Sequence, residues 1–336
     1  MTLRLVDSFD TYATADISRR YTVSATPAID AVEMRTGVGC LKCDSYTDCI
    51  ITAITCTDDK FVVGFAFKTS ALVAGDIFRT MGSATINLTL HLNDDGTFSL
   101  KRSTVIIDTS VTALLVDTWY HIELVAQVSN STTIECILKV DGTTILTLPT
   151  STDTMIAGGL TGIRLGKFGI PSMTCYFDSY YFMDQDGSTN NTFLGDCVVE
   201  AILPDGNGYN SDFDGSDGNQ VDNYLLVDEA DPDDDTTYVE DDTVGGIDSF
   251  TYAAMSETPA TIFGVAVTTM AKKTTANART IKQIARPVST NYTGDEHTLS
   301  ESYACFQDIW EDNPADAAAW EEADVNGAEF GVKVEA

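Results

Sequence analysis

Four side chains in the first half of the chain are of the types that sugar sites use: His91, Trp119, His121 and Tyr180. Aromatic rings stack on the apolar face of a saccharide, and imidazoles hydrogen-bond to its hydroxyls. Trp119, Tyr120, Tyr176, Tyr180 and Tyr181 would together make a stacking platform. Strand alternation nevertheless sends Tyr120 inward, and core packing with scattered surface aromatics is the plainer account. His91 and His121 fall on polar faces of expected strands, where a pair on one face would line a groove and single residues would be solvated. A second group is rich in oxygen. Asp205, Asn207, Asp212, Asp214 and Asp217 offer the several hard oxygens that calcium takes. No D-x-[DN]-x-[DN]-G loop with a distal Glu accompanies them, so a plain acidic surface loop is the alternative. The third group is cationic. Lys272, Lys273, Arg279, Lys282 and Arg286 are five of the six Lys and Arg residues in 186–336. On one hairpin they would suit head-to-tail contact between copies of the chain, or would only protect a strand edge.

The elements that must hold these residues are strands. From Leu115 to Leu148, Tyr120, Ile122, Leu124, Ala126 and Val128 alternate with Trp119, His121, Glu123 and Gln127. Ile134, Cys136, Leu138 and Val140 then alternate with Thr133, Glu135 and Lys139, so two period-2 runs joined at 129–131 predict a hairpin. Asp141-Gly142 supplies a tight turn into a third strand. Residues 1–185 form one expected domain, 186–192 a polar linker, and 193–336 an acidic β domain. In the latter, strands are expected at Asp196–Leu203, Tyr303–Trp310 and Phe330–Val334. A hairpin is expected from Thr261–Met270 and Thr280–Arg286, and a short helix from Asn313-Pro314 to Val325.

Composition agrees with an all-β chain: Thr, Asp, Gly and Ser are abundant, and few stretches keep a 3.6-residue apolar period. The formal net charge is −32, with 13 basic and 20 acidic residues in 1–185 and 6 basic and 31 acidic in 186–336. Such a surface repels nucleic acid and anionic lipid, so neither is an expected partner. No apolar run approaches the ~18 residues of a membrane span. The first residues lack the pattern of a secretory leader, so synthesis in a cytoplasm is expected. Cys40-x-x-Cys43, Cys49 and Cys56 supply only half of a zinc knuckle. Buried thiols come first, with structural zinc and a disulfide level behind them. No Ser/His/Asp or Cys/His spacing suggests a nucleophile, and Gly37-Val38-Gly39 lacks the rest of a phosphate loop.

Trp119-Tyr120-His121-Ile122-Glu123-Leu124 followed by Val140-Asp141-Gly142 resembles the concanavalin A-like lectin/glucanase (laminin-G-like) jelly roll. Phe61–Phe67, the hairpin of Ile86–Leu92 with Phe98–Leu100, and Cys175–Phe182 follow that family's order of strands over residues 1–185. The resemblance implies a jelly-roll sandwich, with calcium as a possible cofactor at a loop edge and Asp178 as one further ligand option. Glucanases of this family place paired carboxylates on one strand as E-x-D-x-x-E. The nearest match, Glu229-Ala230-Asp231-Pro232-Asp233-Asp234, carries a proline that a central strand excludes. A non-enzyme is therefore expected. In the second half, FLGDCVVEAILPDGNG, LVDEADPDDDTTYV, NPADAAAW and FGVKV resemble segments of tailed-bacteriophage virion structural proteins. The combined resemblance implies a virion component, as capsid decoration, head fibre or tail. Its partners would be other virion subunits, further copies of itself and host or environmental glycans. A carbohydrate-binding module of a cell-surface assembly is the alternative, and an inactive or divergent glycosidase the third.

Overall fold

A computed structural model describes residues 2–54, 59–82, 85–130, 136–150, 152–169, 172–184, 187–190 and 192–336. It divides into two compact units: Met1–Asp10 with Thr14–Val199, and Thr11–Ala13 with Glu200–Ala336. Ser131, Thr133, Ile134, Glu135 and Cys56, and the linker positions Asp186 and Asn191, lie outside the described residues.

In the first unit the strands are β1 Thr2–Asp7, β2 Thr22–Ser24, β3 Ala28–Asp30, β4 Cys40–Cys43, β5 Cys49–Ala53, β6 Lys60–Thr69, β7 Gly75–Gly82 and β8 Thr85–Leu92. They continue as β9 Phe98–Arg102, β10 Val105–Thr109, β11 Tyr120–Gln127, β12 Cys136–Val140, β13 Thr143–Leu148, β14 Gly162–Phe168 and β15 Cys175–Asp184, with one turn of helix, α1 Ile17–Arg20. An eight-stranded sheet runs β13-β12-β11-β6-β15-β4-β3, with β1 also on β15; a seven-stranded sheet runs β10-β9-β8-β7-β14-β5-β2. Every pairing is antiparallel.

Alternation explains the core. Ile122, Leu124 and Ala126 sit opposite Phe65, Val63 and Phe61. They are buried together with Phe78, Leu88, Leu90, Phe98, Leu100, Ile163 and Leu165 of the other sheet. Each fully buried Leu, Ile or Phe side chain contributes about 1.5–3 kcal/mol. The turn between β12 and β13 has Asp141 at φ 48° and Gly142 at φ 73°, the left-handed pair that a two-residue hairpin requires. Cys40, Cys43, Cys49, Cys136 and Cys175 are buried free thiols. Burial pushes Cys136 up to about 12, which suppresses thiolate chemistry.

The second unit contains β16 Pro204–Ser211, β17 Asp214–Gly215, β18 Val239–Glu240, β19 Ile247–Tyr252, β20 Val265–Ala271, β21 Thr280–Arg286, β22 Tyr292–Thr298 and β23 Ala304–Trp310. After β24 Asp312–Asn313 and β25 Ala318–Ala319 come α2 Glu322–Gly327 and β26 Glu329–Val334. A five-stranded sheet runs β16-β19-β26-β21-β22, and β20 pairs with β23. Val267, Ala285, Trp320, Val325, Ala328 and Phe330 form its core.

Three expected elements differ. Asp196–Leu203 is not a strand, because its first residues are held by the sheet face described below. The segments 261–270 and 280–286 do not form a hairpin: β20 pairs with β23, while β21 lies between β26 and β22. The polar stretch between them therefore crosses from one sheet to another. The helix opens at Glu321, not at Asn313. Asn313 instead closes a turn, its Oδ1 accepting from Ala315 N at 3.0 Å and its carbonyl from Ala317 N at 2.8 Å, with Ala317 at φ 57°. The later start is fixed by a capping box between Glu321 and Asp324.

Candidate functional site

The outer face of the eight-stranded sheet gathers most of the chemically active residues. Register sets Asp178, Ala66 and His121 in one row, and Tyr181, Gly64, Glu123 and Lys139 in the next. A bulge on β15, where Ser179 adopts φ 48°, changes the phase of that strand. Tyr181 therefore faces outward and Tyr180 is fully buried, so the latter is no stacking surface for a sugar. Gly64 makes room for the Tyr181 ring, since a Cβ there would stand 2.1 Å from Cε1.

Glu123 Oε1 accepts from Tyr181 Oη at 2.6 Å and from Gly195 N at 2.9 Å. His121 lies under the Tyr181 ring, centroids 6.3 Å apart, and neither imidazole nitrogen has a hydrogen-bond partner. Burial lowers its pKa against the opposing charges of Glu123 and Asp196, which favours the neutral ring. Asp178 Oδ2 accepts from Arg35 N at 2.9 Å and Thr36 N at 3.3 Å. Burial nevertheless pushes Asp178 up to about 6. Arg35 pairs with Asp196 and donates to the Cys197 carbonyl at 3.2 Å, while Lys139 Nζ lies 4.0 Å from the Phe193 ring centroid. Residues 193–197 thus cover the centre of this face. His121 is 1% exposed, and Glu123 is fully buried; both had been expected on an open polar face.

The edge of the face is less covered than its centre, although Lys68 itself is buried. Lys68 Nζ lies 5.2 Å from the Trp119 ring centroid and 5.0 Å from that of Tyr176, and it pairs with Glu33. Trp119 and Tyr176 are both half-buried. Two aromatic faces with an ammonium between them and carboxylates beside them combine stacking with hydrogen bonding.

His91 belongs to the other sheet, so it makes no pair with His121. Its Nδ1 is 2.6 Å from Asp76 Oδ1, and the same carboxylate takes Arg79 at 2.6 Å and Lys101 at 3.6 Å. Burial raises Asp76, but the His91 and Arg79 hydrogen bonds and the Arg79 and Lys101 charges outweigh it and hold the carboxyl below its ordinary value. Arg79, Lys101 and Arg164 went unnoticed in the sequence, although each alternates with core residues in a strand and so had to face outward.

The calcium candidates are not drawn together. Asp205 takes Thr251 Oγ1 at 2.8 Å, Asn207 takes Tyr224 N at 3.2 Å, Asp212 takes Ile247 N at 3.0 Å, and Asp217 takes Asn219 Nδ2 at 2.7 Å, while Asp214 is exposed. Asp205 and Asn207 extend along β16, and each oxygen serves its own local bond. Among the described residues no group of three His, Cys, Asp or Glu is placed to hold a metal ion. The residues therefore do not fit the calcium expectation. Four of the five cations of the set are taken up by local partners. Lys272 pairs with Asp235 at 2.5 Å, Lys273 donates to the Asn277 carbonyl at 2.7 Å, Lys282 lies 3.3 Å from Glu335, and Arg286 donates to Ser289 O and lies 3.6 Å from Glu329. Arg279 precedes β21.

No family model matches the chain, and no curated protein matches it. Among solved structures, an endo-β-1,4-glucuronan lyase from the fungus Trichoderma reesei is similar at 11% identity and TM-score 0.40, over 54% of this chain and 91% of that one. The alginate lyase Aly36B is similar at 12% identity and TM-score 0.40, over 54% and 96%. The receptor-binding domain of botulinum neurotoxin C/D mosaic serotype is similar at 12% identity and TM-score 0.37, over 50% and 43%. The chain is an all-β protein of antiparallel sheets, in keeping with a β-sandwich fold. The expectation of a non-enzyme is corrected, because two of these similar structures are lyases and such a fold is no ground for excluding catalysis. At these identities the likeness is one of fold, and no residue role passes from those proteins to this chain.

Proposed function

We propose that the chain is a bacteriophage virion component on the particle exterior, as capsid decoration, head fibre or tail part, and that its first unit contacts a glycan. The observation that carries the glycan reading is the rim of Trp119 and Tyr176 around Lys68. Saccharides are recognised by a flat ring against their C–H face and by charged or polar groups against their hydroxyls, and this rim supplies both. The virion assignment is supported by the four segments of the second half that resemble virion structural proteins. Its partners would be neighbouring virion subunits.

Two measurements test this. On a glycan array, binding should be present for the intact chain and fall at least tenfold for Trp119→Ala and Tyr176→Ala; a chain that binds no glycan, or variants that bind equally, would sink the glycan reading. Mass spectrometry of purified virions should detect the chain, with hundreds of copies indicating the capsid and a few dozen or fewer the tail or a fibre. Its absence from virions removes the virion assignment.

A further inference from the structure

The outer face of the seven-stranded sheet carries a row of like charges that the protein itself leaves under-compensated. Register places Ile51, Arg164, Arg79, Thr89 and Lys101 side by side on β5, β14, β7, β8 and β9. Arg164 and Arg79 are therefore directly opposite each other, an arrangement that destabilises an antiparallel pair. His91 stands in the neighbouring row beside Asp76. Asp76 is the one carboxylate that Arg79, Lys101 and His91 share among the described residues. Among the described residues Arg164 has no ion pair, and its Nε is buried without a hydrogen-bond partner. Thr89, fully buried between Arg79 and Lys101, has an unpartnered hydroxyl as well. The chain carries 51 acidic residues, so a face with three permanent cations and one carboxylate is not a consequence of composition.

We infer that this row is a binding site for an acidic polysaccharide, whose carboxylate or sulfate groups supply the missing counter-charge. Guanidinium groups take such anions through two parallel N–H bonds. From β14 to β9 the row crosses three strand intervals of about 4.8 Å, roughly 14 Å in all. A single small anion does not bridge that distance. Duplex nucleic acid carries a charge every ~1.7 Å, far denser than three cations over this length neutralise. A sugar chain with about one acidic group per residue matches the sparse row. The site lies on the sheet opposite the Trp119 rim and is independent of the glycan reading made for that rim.

The test is isothermal titration calorimetry of the full chain with alginate as the uronate probe, heparin as the sulfated probe, and dextran as the neutral one. Alginate or heparin should bind in 50 mM NaCl, dextran should not bind through this face, and affinity should fall about tenfold or more in 0.5 M NaCl as the charges are screened. Arg79→Gln with Arg164→Gln should lose at least tenfold, Arg164→Lys should retain part of the binding, and Lys333→Gln should leave it unchanged. Thermal melts of each variant identify any that fail to fold, in which case Lys101→Gln provides the same reading. The inference is overturned if neither acidic polysaccharide binds at low salt, if binding survives the double substitution, or if duplex DNA binds as tightly. It is also overturned if the row instead mediates self-association that Arg79→Gln abolishes.

Discussion

At the residue scale, Gly64 and Asp248 each make a measurable claim. Gly64 has the Tyr181 ring lying across it, and the phenol is needed by Glu123. Gly64→Ala should force the ring away and cost about 1–3 kcal/mol in urea unfolding, as overpacking usually does. A loss below a few tenths would mean that the ring moves freely. Asp248 is 1% exposed; burial raises its pKa to about 7, the Asn223 hydrogen bond opposing and the Asp212 charge adding to the rise. A raised carboxyl binds its proton in the folded chain at a pH where the unfolded chain, with a pKa of about 3.9, has lost it. Its contribution to stability is therefore fully present below about pH 4 and is lost as pH rises through the folded value near 7. The loss should reach roughly 2–4 kcal/mol by pH 8, and Asp248→Asn should flatten that slope. A pH profile identical in the variant would refute the assignment. Trp119 and its aromatic character were legible from sequence, but the burial of Tyr180 was not, because one residue in the left-handed region shifts every later side chain of β15.

At the element scale, strands were legible wherever a period-2 pattern met a buried face, as in Phe61–Phe67 and Tyr120–Ala126. Partners were not. The sequence placed 261–270 against 280–286 by proximity, whereas β20 finds β23 and β21 finds β26. Alternation fixes which side a residue faces and says nothing of which strand lies beside it. The cover over His121 was equally invisible, since nothing local in FLGDC marks it as bound to a sheet. Gly195 anchors it, with φ 85° and an N–H given to Glu123. Proline supplies neither. Gly195→Pro should therefore release residues 193–197, cost about 1–3 kcal/mol, and let the His121 imidazole rise toward its free value of ~6.5. Nuclear magnetic resonance titration of the His121 ring protons reads that rise. An unchanged midpoint would show that other groups, and not this segment, keep water from the ring.

At the scale of the whole molecule, charge is the property that the sequence showed most plainly, and it divides the two units. The second unit carries 6 basic and 29 acidic groups, against 13 and 22 in the first. Like charges held on a compact surface repel one another and destabilise the folded state. Added salt relieves this, because the screening length falls from about 10 Å at 0.1 M to about 3 Å at 1 M. The second unit should gain most. Of the three tryptophans, Trp310 and Trp320 belong to the second unit, so in Trp119→Phe the indole fluorescence reports that unit alone. Raising NaCl from 20 mM to 0.5 M should lift its melting midpoint by about 3–6 °C, the shift that a gain of about 1 kcal/mol gives a domain of this size. The first unit, followed by hydrogen exchange at core amides of β6 and β11, should move much less. It also carries the ion pairs around Asp76, which the same salt weakens. Equal shifts in the two units would mean that general salting-out, not the uneven distribution of acid groups, governs their response.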